Sequence, residues 1–175
     1  MMGWFLLAAC GTDPNVVVTG MQSANPIIRE DMVLVARGVK DDVVTQALIG
    51  SLEDSSAVVR LRAVESLAAH ENTTAVPALI QKLSDEDPEV RKATIDALGV
   101  LEDPRAVPAL IAYVDERKTD DDLPLNALWA LGAIGDHQSI ALLSQLREHS
   151  DPYVVYNAET ALRSLPAAPP PVKTK

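Results

Sequence analysis

The sequence predicts an all-α chain, built as a short stack of helix pairs with one further helix at its end. Three observations carry this reading. Hydrophobic residues make up 47% of the 175 positions but aromatics only 3%, so the apolar volume comes from Ala, Leu and Val, which suit close helix packing. An aliphatic residue returns at Ile28, Val59, Val90, Leu123 and Val154, in steps of 31, 31, 33 and 31. Each is followed eight positions later by Ala36, Leu67, Leu98, Leu131 and Leu162, a spacing that returns a helix to nearly the same face.

The elements follow in order from these columns. First helices are expected after Asn25, Ser56, Asp87 and Asp151, whose short oxygen-bearing side chains can accept bonds from the orphan first-turn amides. Pro26, Pro88 and Pro152 come next, where a missing N–H costs nothing. In the fourth unit Asp120 or Asp122 takes the cap position. Second helices open at Asp41, Asn72, Asp103 and Asp136. They share an alanine column (Ala47, Ala78, Ala109, Ala141), read as a close-approach surface, and a leucine column directly after it (Leu48, Leu79, Leu110, Leu142). Gly38, Gly99 and Gly135 are read as turns between paired helices. The repeats thus span residues 25–165 as four pairs and a final helix. Residues 166–175, with Pro169, Pro170 and Pro171, read as a disordered or polyproline-like tail.

The run Asp87-Pro-Glu-Val-Arg91, then Ala97-Leu-Gly99, then Asp103-Pro-Arg-Ala-Val-Pro-Ala-Leu-Ile111 resembles HEAT repeats of the short, bilin-lyase-like kind. The resemblance implies a right-handed α-α superhelix, a solenoid whose second helices line one face. Gln81, Lys82, Tyr113, Ser144 and Gln145 are expected to be exposed there as interaction residues. Near the start, Leu7-Ala-Ala-Cys10 resembles the lipobox of bacterial lipoproteins. That resemblance implies a signal peptide over residues 1–9, a lipidated Cys10, a tether over residues 10–24, and a place at the outer membrane facing the periplasm, with a cytoplasmic chain as the alternative.

Charge and chemistry narrow the function. Acidic residues outnumber basic ones 25 to 15, a net charge of −10, which argues against binding phosphate-rich nucleic acid and suits a basic protein partner. One cysteine excludes an intrachain disulfide framework. His70, His137 and His149 fall at helix ends or loops and are read as solvated. The single His70-Glu71 pair and the run Asp120–Asp122 lack the ligand spacing of a metal site. No catalytic residue, cofactor or metal is expected. Arg29, Arg60 and Arg91 form a ladder read as structural, each pairing with an acid such as Asp54, Asp85 or Asp87. Trp129 shares a column with Leu34, Glu65, Asp96 and Thr160, so it should face solvent. With Tyr153 and Tyr156 it makes either an interaction patch or a cap over the last repeat.

The expectation is a non-enzymatic scaffold for protein–protein contact, tethered to a membrane through Cys10 alone. The alternatives are a bilin-lyase-like enzyme subunit and a soluble HEAT adaptor without lipid.

Overall fold

The computed structural model describes residues 13–117 and 123–166. Among these there are ten α-helices, three short 3₁₀ turns and no strand. The chain divides into two compact units, Met1–Ala97 and Leu98–Lys175, with the division inside one helix.

In the first unit, α1 (Pro14–Met21) precedes α2 (Pro26–Ala36), α3 (Asp42–Ser51), α4 (Ala57–His70), α5 (Val76–Lys82) and the start of α6 (Pro88–Leu101). Helices α2 and α3 both pack on α4, and α1 packs on α2 and α3. The leucine column is buried as expected: Leu48 and Leu79 have no exposed surface. Val59 and Leu67 are buried too, but Ile28, the first member of its column, is exposed. Here the period runs out. The alanine column also departs from expectation, since Ala47 and Ala78 lie only half-buried, and the fully buried Leu48 and Leu79 beside them make the core instead.

In the second unit, the end of α6 is followed by α7 (Val107–Asp115), α8 (Leu125–Ile134), α9 (Ile140–Leu146) and α10 (Pro152–Ser164). Helix α10 packs on α8 and α9, and α8 packs on α7. Leu110, Leu128, Leu131 and Leu143 are fully buried. Buried leucines of this kind contribute about 1.5–3 kcal/mol each against an exposed reference, the term that holds each unit together.

Cap chemistry explains the helix starts. Asn25, Asp41 and Asp151 each accept the amide two residues on, at 2.8–3.0 Å. Ser56 makes no such bond; Asp54 Oδ1 accepts the Ser56 amide instead, at 2.8 Å. The second helices of three units begin as 3₁₀ turns, Thr73–Ala75, Pro104–Ala106 and His137–Ser139, capped by Asn72, Asp103 and Asp136. Pro77 and Pro108 sit just inside α5 and α7, but the third case has Ala141 there, so the cap sets the tight turn rather than proline.

Two expectations about linking segments are corrected. The stretch read as tether holds α1: Asp13 accepts the Asn15 amide at 2.9 Å, Pro14 begins the helix, and Val17 and Met21 are buried. Cys10 and the residues before it lie outside the described residues. Gly99 is not a turn residue but an interior residue of α6. The left-handed helix ends fall at Glu71 (φ 55°), Glu102 (φ 50°) and Gly135 (φ 73°), so only one of the three glycines serves that backbone need.

Candidate functional site

The inter-repeat loops of the first unit carry the densest polar chemistry. Arg29 on α2 forks onto Asp54, with Nε to Oδ2 at 2.6 Å and the second nitrogen to Oδ1 at 2.8 Å. Its remaining nitrogen donates to the carbonyls of Ser23 and Ala24. One repeat later Arg60 on α4 does the same to Asp85, at 2.9 and 2.8 Å, and donates to the Asp54 carbonyl at 2.9 Å. It also reaches Glu86 Oε1 at 3.1 Å. Arg91 on α6 donates to the carbonyls of Asp85 and Glu86 at 2.7 and 3.0 Å. Each arginine thus ties down the loop before its own helix. Arg29 and Arg60 in addition grip the acid one repeat on. A planar five-donor guanidinium fits this double duty; an ammonium does not.

Burial is deeper at the second pair than at the first. The side chains of Arg60 and Asp85 keep only 6% and 4% of their surface exposed. The Asp54 carboxyl lies below the ordinary carboxylate range because Arg29 donates to both oxygens, with burial opposing and the Ser56 amide assisting. For Asp85, burial is the largest influence and pushes upward, yet Arg60 and the Asp87 amide together prevail, so its value is also lowered. A carboxylate with a depressed folded value stabilises fully above its unfolded value, about 3.9, and loses that contribution as pH falls through the folded value. The urea midpoint should therefore be insensitive to these two groups from neutral pH down to about 4 and drop below it. In an Asp54→Asn/Asp85→Asn chain that acid-side drop should be shallower.

The two loops frame an open cleft of about 400 Å³, lined by Glu53, Asp54, Ser55, Arg60, Lys82, Ser84, Asp85 and Glu86. Lys82 was expected on an exposed interaction face. It is buried instead, its ammonium 2.8 Å from Glu53 Oε2. Helix α5 is only seven residues long and the stem of Lys82 runs along its packed side, leaving the charge at the cleft. The recurrence of Asp54 and Asp85 at the 31-residue step was the signal for this cleft, visible in the sequence only as a charge ladder.

His70 also departs from expectation. It is buried, with Nδ1 3.0 Å from Thr45 Oγ1 and Nε2 2.9 Å from the Ala36 carbonyl, so it links α4 to α2 and α3. Ser66 adds a parallel link, its hydroxyl donating to the Val33 carbonyl at 3.0 Å. Replacing His70 with Ala removes both links and opens a void, although the Thr45 hydroxyl keeps the Asp41 carbonyl and the Ala36 carbonyl keeps the Val39 amide, each at 2.9 Å. A loss of about 2–4 kcal/mol is expected, read from the urea midpoint, with unchanged stability contradicting the link. His149 Nδ1 accepts the Asp151 amide at 3.0 Å.

The remaining interaction candidates lie apart. Gln81 is exposed on α5, and Ser144 and Gln145 are exposed on α9. Tyr113 on α7 is half-buried beneath the Arg117 guanidinium, 4.0 Å above its ring. Trp129, Tyr153 and Tyr156 are 48%, 72% and 66% exposed, on the packed helices α8 and α10. No group of three or more potential metal ligands occurs among the described residues, and the run Asp120–Asp122 lies outside them.

Comparison with known proteins resolves the family. Residues 42–122 match the family model for HEAT repeats, and residues 123–149 match the model for PBS lyase HEAT-like repeats. Residues 42–149 are HEAT repeats. Comparison with curated proteins gave no match. Among solved structures, the HEAT chain is similar to a chain in the complex of CpcE and CpcF of phycocyanin lyase from Nostoc sp. PCC7120. The two share 31% identity with a TM-score of 0.74, over 87% of this chain and 65% of that one. This chain therefore spans about two thirds of that relative's length. It is also similar to a designed armadillo repeat protein solved with the peptide (KR)4, at 18% identity and TM-score 0.65, covering 92% of this chain and 84% of that one. An engineered protein matches at 20% identity and TM-score 0.64, covering 86% and 78%. These last two show the fold alone: helical repeats of the HEAT and armadillo kind. The expectation that the chain is no enzyme is corrected. The chain is similar to a chain from a phycocyanin lyase complex and carries a PBS lyase HEAT-like repeat.

Proposed function

We propose that this HEAT-repeat chain works as one subunit of a lyase-type assembly, its helices forming the contact surface for a second protein chain. The observation that carries the reading is its 31% identity to a chain solved within a two-protein lyase complex. The chemistry of the repeats supports the protein-binding part. The buried charges Arg60 and Asp85 satisfy each other, and His70 is bonded on both ring nitrogens, while aromatic side chains stand out from α8 and α10. Groups committed to holding the fold leave exposed rings such as Tyr153 and Tyr156 as recognition elements. Tagged chain isolated from its own cells with its partner tests the lyase part through absorbance. A bound tetrapyrrole chromophore co-eluting with the complex is the expected result, and a colourless complex contradicts it.

The acidic composition further favours a basic partner surface. A lipid anchor at Cys10 would hold this assembly at a membrane; the Leu7–Cys10 run supports it. Labelling cells with a palmitate analogue tests that step, since incorporation must vanish in Cys10→Ser.

A further inference from the structure

In the first unit a first helix turns one stripe toward the first helix before it. On α4 that stripe is Val59, Ala63, Ser66 and His70, at helical spacing and all buried. Its hydrogen bonds show what it faces, because Ser66 and His70 bond to the Val33 and Ala36 carbonyls of α2. Thirty-one residues earlier, Ile28, Met32 and Val35 of α2 hold the places of Val59, Ala63 and Ser66. The stripe on α2 is the more apolar of the two. Yet no first helix precedes α2 among the described residues. Helix α1 belongs to the other layer: Val17 and Met21 lie 31 residues before Leu48 and Leu52 of the second-helix column, and all four are buried. It gives Met32 partial cover through Gly20, against which the Met32 side chain lies. Ile28 is left 43% exposed, with Ile27 and Leu34 exposed beside it.

The last helix shows how these repeats finish a face that meets water. The column begun by Val33 continues as Val64, Ile95 and Leu128, all buried, and ends as Glu159 on α10. Glu159 accepts from Arg163 at 3.1 Å and lies 3.7 Å from Arg147. A terminal repeat needs such a polar outer face to be soluble by itself. On α10 the column has turned to charge; on α2 the corresponding outward stripe is Ile, Met and Val.

The shape that fits α2 is therefore a helix, laid beside it as α2 lies beside α4, continuing the interface already formed between repeats. Charge decides whose helix. Asp31 is exposed one turn from both Ile28 and Val35. Two copies of this chain meeting there by a two-fold would bring like charges together, each chain carrying a net −10. A different polypeptide with Lys or Arg beside its apolar stripe meets Asp31 favourably. We propose, resting on the two-protein reading above, that this face of α2 receives an amphipathic helix of the partner chain. Its apolar stripe lies on Ile28 and Val35, and a basic side chain pairs with Asp31.

Tagged full-length chain carrying Ile28→benzoylphenylalanine, isolated from its own cells with its partner and irradiated, tests the placement. The expected adduct is a partner peptide with apolar residues three and four apart and Lys or Arg among them. An adduct within the same chain or with a second copy overturns the proposal, as does no adduct from a complex that still holds the partner. Ile28→Glu gives a second readout. Three residues after the Asn25 cap a Glu suits the helix start, so the urea midpoint should not fall. Affinity for the purified partner should drop by about tenfold or more, because the carboxylate enters an apolar contact. A lower midpoint with unchanged affinity overturns the proposal and makes the stripe part of the chain's own core. If the unaltered chain brings down no second polypeptide, the two-protein reading fails and this docking site with it. A partner that binds Ile28→Glu as tightly as the unaltered chain leaves that reading standing and removes the docking site alone.

Discussion

Changing Asp85 to Ala should lower stability by about 3–5 kcal/mol, read as a fall in the urea midpoint at unchanged slope. The cause is what remains. Arg60 keeps only 6% of its side-chain surface exposed and would lose both oxygens of its bidentate partner. Glu86, with 85% of its side chain exposed, offers one further contact that solvent screens. The Asp87 amide would lose its acceptor as well, since Asp85 Oδ1 receives it at 3.0 Å. Removing both charges tests the argument from the other side. An Arg60→Met/Asp85→Leu chain should recover much of the loss, because two well-packed apolar side chains avoid the desolvation that a lone buried guanidinium incurs. If Asp85→Ala alone costs less than about 1 kcal/mol, the pair is a surface contact and this account of the loop junction is wrong.

The second large effect concerns Gly132, where α8 meets α10. A Cβ there would lie 2.8 Å from the Ala161 Cα and 2.9 Å from both its Cβ and the Ser164 Oγ. Backbone cannot yield as a flexible side-chain tip does, so the helices would have to part. The Ser164 hydroxyl, which donates to the Gly132 carbonyl at 3.0 Å, would be disturbed with them. Gly132→Val should therefore cost about 1–3 kcal/mol from overpacking, despite the better helix propensity of valine. Gly50 supplies the contrast: it lies in α3 and a Cβ there would meet nothing within 4 Å. Gly50→Ala should stabilise by about 0.4–1 kcal/mol. Thermal melts of the two variants should move in opposite directions; the same direction would contradict the packing at Gly132.

The contrast between these glycines shows what was legible in the sequence. Columns of large apolar residues were, because Leu48, Leu79, Leu110 and Leu142 must all meet a core and so repeat in type. Caps were, because an oxygen two positions before an amide is a local device. Close approach was not. Gly99 and Gly132 fall in one column, but a glycine needed for contact looks the same in sequence as one needed for a turn. The left-handed ends were meanwhile taken by Glu71 and Glu102, residue types that give no such signal. Lys82 and His70 were missed for another reason: both are polar types whose burial depends on a partner distant in sequence, Glu53 for one and Thr45 with Ala36 for the other. Helix α1 escaped because eight residues after a suspected anchor read as tether, although Asp13-Pro14 was a cap pair in plain view. Of the candidate site, the arginine ladder was legible as a period and its cleft was not, since a cleft is made by loops facing each other.

The central claim is that this chain is one member of a two-protein assembly. The direct measurement is the native mass, by light scattering on gentle purification, of tagged chain taken from its own cells. The account expects a one-to-one complex with a different polypeptide, well above the 18.7 kDa of the chain alone. Elution at the mass of the single chain, or of copies of it with no other polypeptide, would contradict it.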